Sequence, residues 1–312
     1  MSASDPLVVE VERSGLIESV HPVDAAVTDA SGGLLAWAGD ADVVAYLRSS
    51  AKPIQALACL ENGWRPPGPE QLAVACASHN GEPAHVAAVR ATLAAAGIRE
   101  DALGCPPARP LLPEAAAGDP APILHNCSGK HAAMLATARA GDWPLDGYRE
   151  PDHPMQRSVA ALLERLAGRP ARHVGVDGCG VPTFAFTLAE AAVVFARLAE
   201  HGRAPLDAMA GHPFLVAGTG RLCTAVMTEL PGVAIKIGAE GITCGVLRDR
   251  GIGFALKSRD GTQRGRDAAT VFLLQELLGS IPPALAVHGT PDVTGGGRPV
   301  GSARCRGTLQ RV

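Results

Sequence analysis

The segment "RSSAKPIQALACLENG" sets Ser49 three residues before Lys52. A serine hydroxyl is a poor nucleophile near neutral pH, and an amine whose pKa falls on burial can take its proton. Arginine cannot do this. The chain otherwise prefers arginine: of 28 Lys+Arg, only Lys52, Lys130, Lys236 and Lys257 are lysine. Read as a helix start, Ser49 takes the N-cap position and Pro53 falls in the first turn, where its missing N–H costs nothing. The i, i+3 spacing then puts Ser49 and Lys52 on one face and turns Ser50 elsewhere. A capping serine beside an incidental lysine is the plainer reading of the same residues.

Two later motifs weigh against coincidence. "ASHNGE" supplies Ser78, His79 and Asn80, and "GFALKSRDG" supplies Lys257 and Ser258 after a strand-like run. Serine-x-x-lysine, serine-x-asparagine and lysine-serine, in that chain order, are the elements of the penicillin-recognising serine enzymes. The third departs from the pattern, since Arg259 stands where glycine is expected. "LHNCSGKHAAML" joins a glycine turn to a helix with Lys130 and His131 at its start, where backbone N–H groups suit a carboxylate or an oxyanion. "VGVDGCGVPTFA" offers Asp177 and Cys179 between glycines. Cys127 and Cys179 read either as buried thiols or, with Lys130 or a water, as metal ligands; two cysteines without short spacing do not decide it.

The elements that must position these groups are legible in outline. Apolar runs near the N-terminus, around a Ser-Gly-Gly turn, suggest an antiparallel hairpin, and "GVAIKIGAEG" and "ITCGVLRDRGIGFALKSRDG" suggest further short strands. The middle carries helical spacing in "PAHVAAVRATLAAAG", "PMQRSVAALLERLAG" and "LAEAAVVFARLAEHG", and "DAATVFLLQELLG" predicts a last long helix. This pattern predicts an α+β fold, with an antiparallel sheet from both termini and a helical middle. We expect a single catalytic unit over residues 1–312, with a helical subdomain at about 60–230. The Pro-rich stretch Cys105 to Pro122 reads as a surface loop, and the tail from Val293 as poorly ordered towards its end.

Composition excludes some functions. The net charge of −3 gives no basic footprint for nucleic acid. No apolar run is long enough for a membrane helix, and the N-terminus lacks the pattern of a signal peptide. The eight cysteines form no C-x-x-C pair and read as reduced thiols, which places the chain in the cytoplasm.

Taken together, "VERSGLIESVHPVDAAVTDASG", "LRSSAKPIQAL", "ASHNGEPAHV", "LHNCSGKHAAML", "DGCGVPTFA", "GTGRLCTAVM" and "KIGAEGITCGVL" resemble the rhizobial-type L-asparaginases, the asparaginase II family, over nearly the whole chain. The resemblance implies a fold like that of serine β-lactamases and serine-dependent glutaminases. It also implies a homodimer and hydrolysis of L-asparagine to L-aspartate and ammonia. Residue by residue, it implies two Ser-Lys tandems, Ser49 with Lys52 and Ser78 with Lys257. It implies a zinc ion (Zn2+) at Cys127, Lys130 and Cys179, with Asp177 and His131 nearby, and a pocket lined by Arg48, Asn80 and Cys244. It assigns no role to Lys236.

The expectation is therefore an amidohydrolase in which Ser49 attacks the side-chain amide carbon and a lysine amine takes the proton. A β-lactamase or peptidase, a glutaminase, and a non-catalytic binder of a small amino acid are the rivals. No membrane or nucleic-acid partner is expected.

Overall fold

The computed structural model describes residues 4–115 and 118–312. Two residues of the Pro-rich stretch, 116 and 117, thus lie outside the described residues. The chain divides into two compact units, Met1–Ser50 with Ala185–Glu200 and Glu229–Val312, and Ala51–Phe184 with His201–Thr228.

The first unit is built on an antiparallel sheet. Its order, named by residue range, is Asp292–Gly295, Arg298–Arg306, Leu7–Arg13, Leu16–Thr28, Ile252–Ser258, Ile242–Leu247 and Val233–Ile237. The two N-terminal strands meet through Ser14 and Gly15, both at positive φ, as a tight hairpin turn of matching twist requires. Strands from both termini therefore share one sheet, as the apolar patterning predicts. The Gln263–Leu278 helix packs on it, with Thr262 as N-cap accepting from the Gly265 N–H. The Leu188–His201 helix comes so close to the Ile252–Ser258 strand that a Cβ at Gly253 would sit 2.0 Å from the Ala192 carbonyl oxygen.

The tail corrects an expectation. The Arg298–Arg306 strand pairs in register with the Leu7–Arg13 strand from Gly301 to Arg306, and Gln310–Arg311 pairs with the Leu34–Ala38 strand. Its own sequence is glycine-rich and polar, so the order comes from a partner strand almost 300 residues away rather than from local preference.

The second unit is mainly helical. The Ser128–Ala140 helix is its centre, buried without a break from Ser128 to Ala138. It contacts the Lys52–Glu61, Pro69–Ala75, Pro83–Ala95 and Pro154–Ala167 helices. Pro154–Ala167 turns Met155, Val159, Leu162, Leu163 and Leu166 inward and ends on Gly168 in the left-handed region. The helical unit thus begins at Ala51, earlier than the expected residue 60, and it excludes Ala185–Glu200. Among the described residues no helix is long and apolar enough to cross a membrane.

The centre of this unit depends on one glycine. A Cβ at Gly129 would lie 2.1 Å from the Val74 carbonyl oxygen. Alanine is the better helix former by about 1 kcal/mol, but relieving that overlap costs about 1–3 kcal/mol. Gly129→Ala is expected to destabilise the protein despite its helix propensity, by a lowered urea midpoint; a raised midpoint would contradict this packing.

Candidate active site

The Arg48–Ala51 stretch forms a 3-10 turn, and the α-helix begins only at Lys52. Ala51 holds the cap position without a side-chain cap bond, and Pro53 lies in the first turn. The expected N-cap at Ser49 is therefore corrected. The residues before Lys52 are already wound, with the Ser50 N–H bonded to the Leu47 carbonyl at 2.9 Å, so they lack the extended backbone of a cap. Arg48 has φ of 49°, a strained conformation for a residue with a long side chain.

In the helical unit, Lys52 is completely buried. Its Nζ lies 2.5 Å from the Ala77 carbonyl, 2.9 Å from Ser78 Oγ and 3.5 Å from the Asn126 carbonyl. Carbonyl oxygens only accept, so they can take the two hydrogens of a neutral amine. The third direction, its lone pair, then faces a hydroxyl that can donate. Burial pushes the Lys52 pKa down and the nearby Lys130 adds to this, while Cys127 and Cys179 oppose it; the net shift is downward. Lys52, expected to serve Ser49, thus has its amine on Ser78.

Ser78 is held by backbone. The Ser78 and Asn80 N–H groups donate to the Val216 and Ala217 carbonyls, and the His79 N–H donates to the Asn126 carbonyl. The Asn80 side chain joins this lattice. Its amide nitrogen donates to the Thr219 carbonyl and Glu82 Oε1, and its oxygen accepts from Arg221 at 2.8 Å. Gly218, at φ +109°, cannot carry a side chain, since a Cβ would meet Glu82 Oε1 at 2.3 Å. Glu82, Thr219 and Arg221 were not singled out by sequence reasoning; the glycines bracketing Thr219 in "GTGRL" were the available signal. His79 is buried and kept neutral, Nδ1 accepting from the Gly81 N–H and Nε2 donating to Ser128.

Cys127, Lys130, His131 and Cys179 lie buried in the same unit. The Lys130 amine donates to Cys179 Sγ at 3.0 Å. Hydrogen bonding from Cys179, with the charge of Lys130, holds the Cys127 thiol well below its ordinary range against the effect of burial. Burial alone would lower Lys130, but Cys179, Cys127 and Asp177 reverse it and hold the ammonium above its ordinary range. Asp177 closes the turn that presents Cys179: its N–H pairs with the Val181 carbonyl and its carbonyl accepts from the Gly180 N–H. His131 Nδ1 pairs with the Tyr148 hydroxyl at 2.6 Å, and burial pushes its pKa down to about 4. Two thiols and an amine make a three-donor set of the kind that leaves a tetrahedral metal one open position. Among the described residues no group of three His, Cys, Asp or Glu can hold a metal.

In the sheet unit, Lys257 is half-buried and its Nζ donates to the Ser258 carbonyl at 2.5 Å. Burial lowers its pKa against the pull of Glu240, Asp260 and Asp24. Arg259, which breaks the lysine-serine-glycine pattern, binds the buried Asp24 through two hydrogen bonds at 2.8 and 2.7 Å. Cys244 is buried and its thiol is pushed up to about 12, so it remains protonated. Ser50 Oγ donates to the carbonyl of the fully buried Lys236 at 2.8 Å.

Residues 9–305 match the L-asparaginase II family. No curated protein matches the chain. Among solved structures, that of Mglu is 18% identical with a TM-score of 0.46, covering 82% of this chain and 67% of its own. The Mglu structure in its native form has 63% of its length covered. A Bacillus glutaminase is 14% identical, TM-score 0.46, with 82% and 90% covered. A Mycobacterium bovis β-lactamase is 16% identical, TM-score 0.39, with 81% and 94% covered.

Ser50 separates structure from chemistry at this turn. Removing its hydroxyl leaves a buried carbonyl short of a donor, a loss of about 1–3 kcal/mol. Ser50→Ala is expected to lower the unfolding midpoint while the folded protein keeps its turnover. An unchanged midpoint would contradict the Ser50–Lys236 bond.

Proposed function

The chain belongs to the L-asparaginase II family, and from that premise we propose that it hydrolyses L-asparagine to L-aspartate and ammonia. The observation that carries the reading is the buried 2.9 Å contact between Lys52 Nζ and Ser78 Oγ. It supports Ser78 as the attacking serine, in place of the expected Ser49. Ser78 Oγ bonds to the side-chain amide carbon as its proton passes to the neutral Lys52 amine. Lys52 returns that proton to the departing nitrogen, and ammonia leaves an aspartyl ester on Ser78. Water then attacks the ester, losing a proton to Lys52, which passes it to Ser78 Oγ as the ester bond breaks and aspartate leaves. Ser49 and Lys257 are proposed as the second hydroxyl and second amine of the tandems, and a homodimer as the assembly.

Cys127, Cys179 and Lys130 are proposed to hold a zinc ion. When bound, the ion supplies a positive pole for a substrate oxygen. To ligate it, Lys130 must give up the proton that it now donates to Cys179, so zinc affinity should rise with pH and uptake should release protons. Chelator-competition titrations at several pH values test this; a pH-independent affinity would remove Lys130 from the ligand set.

Ammonia release from asparagine and glutamine, with ring opening of a penicillin followed separately, separates this function from its rivals. Asparagine is expected to exceed glutamine, since one methylene in a fitted pocket is worth about 1–3 kcal/mol. Lys52→Arg keeps the charge but offers no basic lone pair, and is expected to fold and lose about 10²–10⁴ in kcat. Ser78→Ala should lose at least as much. In the native enzyme the rate falls on the acid side, as Lys52 becomes protonated. Equal turnover of both amides would refute the substrate assignment, and a Lys52→Arg protein with most of its kcat would refute the base.

A further inference from the structure

Beside Lys257, whose amine donates to the Ser258 carbonyl, the sheet unit holds a second chain of proton-carrying groups. Ser19 and His21 lie two apart on the Leu16–Thr28 strand, so they share one of its faces. Their partners across the ladder are the buried Val11 and Val9. Ser19 Oγ lies 3.5 Å from His21 Nε2, and His21 Nδ1 lies 2.5 Å from Asp260 Oδ2. The other Asp260 oxygen accepts from Ser258 Oγ at 2.7 Å and from the Thr262 N–H and hydroxyl at 3.0 Å each.

The donors fix the roles. An ionised carboxylate only accepts, so His21 Nδ1 carries the hydrogen, and in the neutral ring Nε2 presents its lone pair to Ser19. Burial works against the Asp260 charge, but the hydrogen bonds from His21, Ser258 and Thr262 overcome it and keep the carboxyl ionised. His21 is only 8% exposed, whereas Ser19 is half-buried and open to a small reagent. The arrangement is also packed in place. A Cβ at Gly265 would meet Ser258 Oγ at 2.5 Å and His21 Cβ at 2.8 Å, so this glycine lets the helix start close over the pair. The strand register shifts between Val11 and Glu12, beside the Ser19 pairing, a feature that re-aims side chains next to reactive sites.

We propose that Ser19, His21 and Asp260 form a second nucleophilic site, distinct from the amide-hydrolysing residues, that accepts an acyl group from a small activated ester. Ser19 Oγ bonds to the ester carbonyl carbon while its proton moves to His21 Nε2. The bond to the leaving oxygen breaks, and that oxygen takes the proton from His21, giving an acyl-Ser19 and an alcohol or phenol. Asp260 positions the imidazole and stabilises its transient charge, the role of the acid in a serine-histidine-aspartate triad.

The test uses the full chain carrying Ser49→Ala and Ser78→Ala, with p-nitrophenyl acetate as probe. A burst of nitrophenol stoichiometric with protein is expected, with acetyl on Ser19 in the tryptic peptide spanning residues 14–48. Adding Ser19→Ala should abolish that burst, and adding His21→Gln should slow it by about 10²-fold or more. Should the His21 variant not fold, the same labelling in urea serves instead, where Ser19 should stay unmodified. Absence of acetyl from Ser19 in the folded protein overturns the proposal. So does labelling that is as fast in folded His21→Gln or in urea, since Ser19 would then be an ordinary accessible serine.

Discussion

The candidate active site depends on where a buried amine puts its protons. Lys52 has no contact with solvent, and an uncompensated ammonium in such a place costs several kcal/mol. Its oxygen partners are two carbonyls and a hydroxyl, with no carboxylate among them, and the Cys127 thiol lies nearby. Two carbonyls and a hydroxyl suit the two hydrogens and one lone pair of a neutral amine. Lys130 is the opposite case: also buried, but donating to Cys179 and held as an ammonium by Cys179, Cys127 and Asp177. Two lysines in one helical unit are thereby driven apart, one towards the free base and one towards the cation. Pairs of groups pushed in opposite directions are how a site assigns its acid and its base.

The scaffold exists to hold that contrast. The central helix brings Lys130 and His131 in at its buried first turns, with its approach set by Gly129 against Val74. The residues from Ser78 to Asn80 are pinned on one side by the Val216 and Ala217 carbonyls and on the other by Asn126. These backbone bonds fix the segment that presents Ser78 to Lys52. The Asp177–Val181 turn does the same for Cys179.

Much of this was legible in the sequence, but unevenly. The scarcity of lysine pointed to Lys52, Lys130 and Lys257, and the three serine and lysine motifs brought Ser78 and Asn80 into view. Helix periodicity found Pro83–Ala95 and Pro154–Ala167, and alternation found the strands at both ends. The local geometry around Ser49 was misread as an N-cap, because Arg48–Ala51 is already wound as a 3-10 turn and the α-helix starts only at Lys52. The partner of Lys52 was misread for a related reason. Ser78 lies 26 residues on, and no local spacing encodes a tertiary contact. The ordered tail was missed because its strand is stabilised by pairing with the opposite end of the chain. The two thiols around Lys130 stayed ambiguous, since their 52-residue separation matches no ligand spacing (127 to 179).

The charge state of Lys52 decides the account most directly, and a chain with four lysines makes it measurable. Selective ¹⁵N-lysine labelling gives four side-chain amine signals, assigned by single Lys→Arg replacements and followed through a pH titration. The account predicts that Lys52 titrates below the ordinary lysine range while Lys130, in metal-free protein, stays protonated above it. A Lys52 signal that remains that of an ammonium up to the ordinary lysine pKa would contradict it, because the amine would then have no lone pair to offer Ser78.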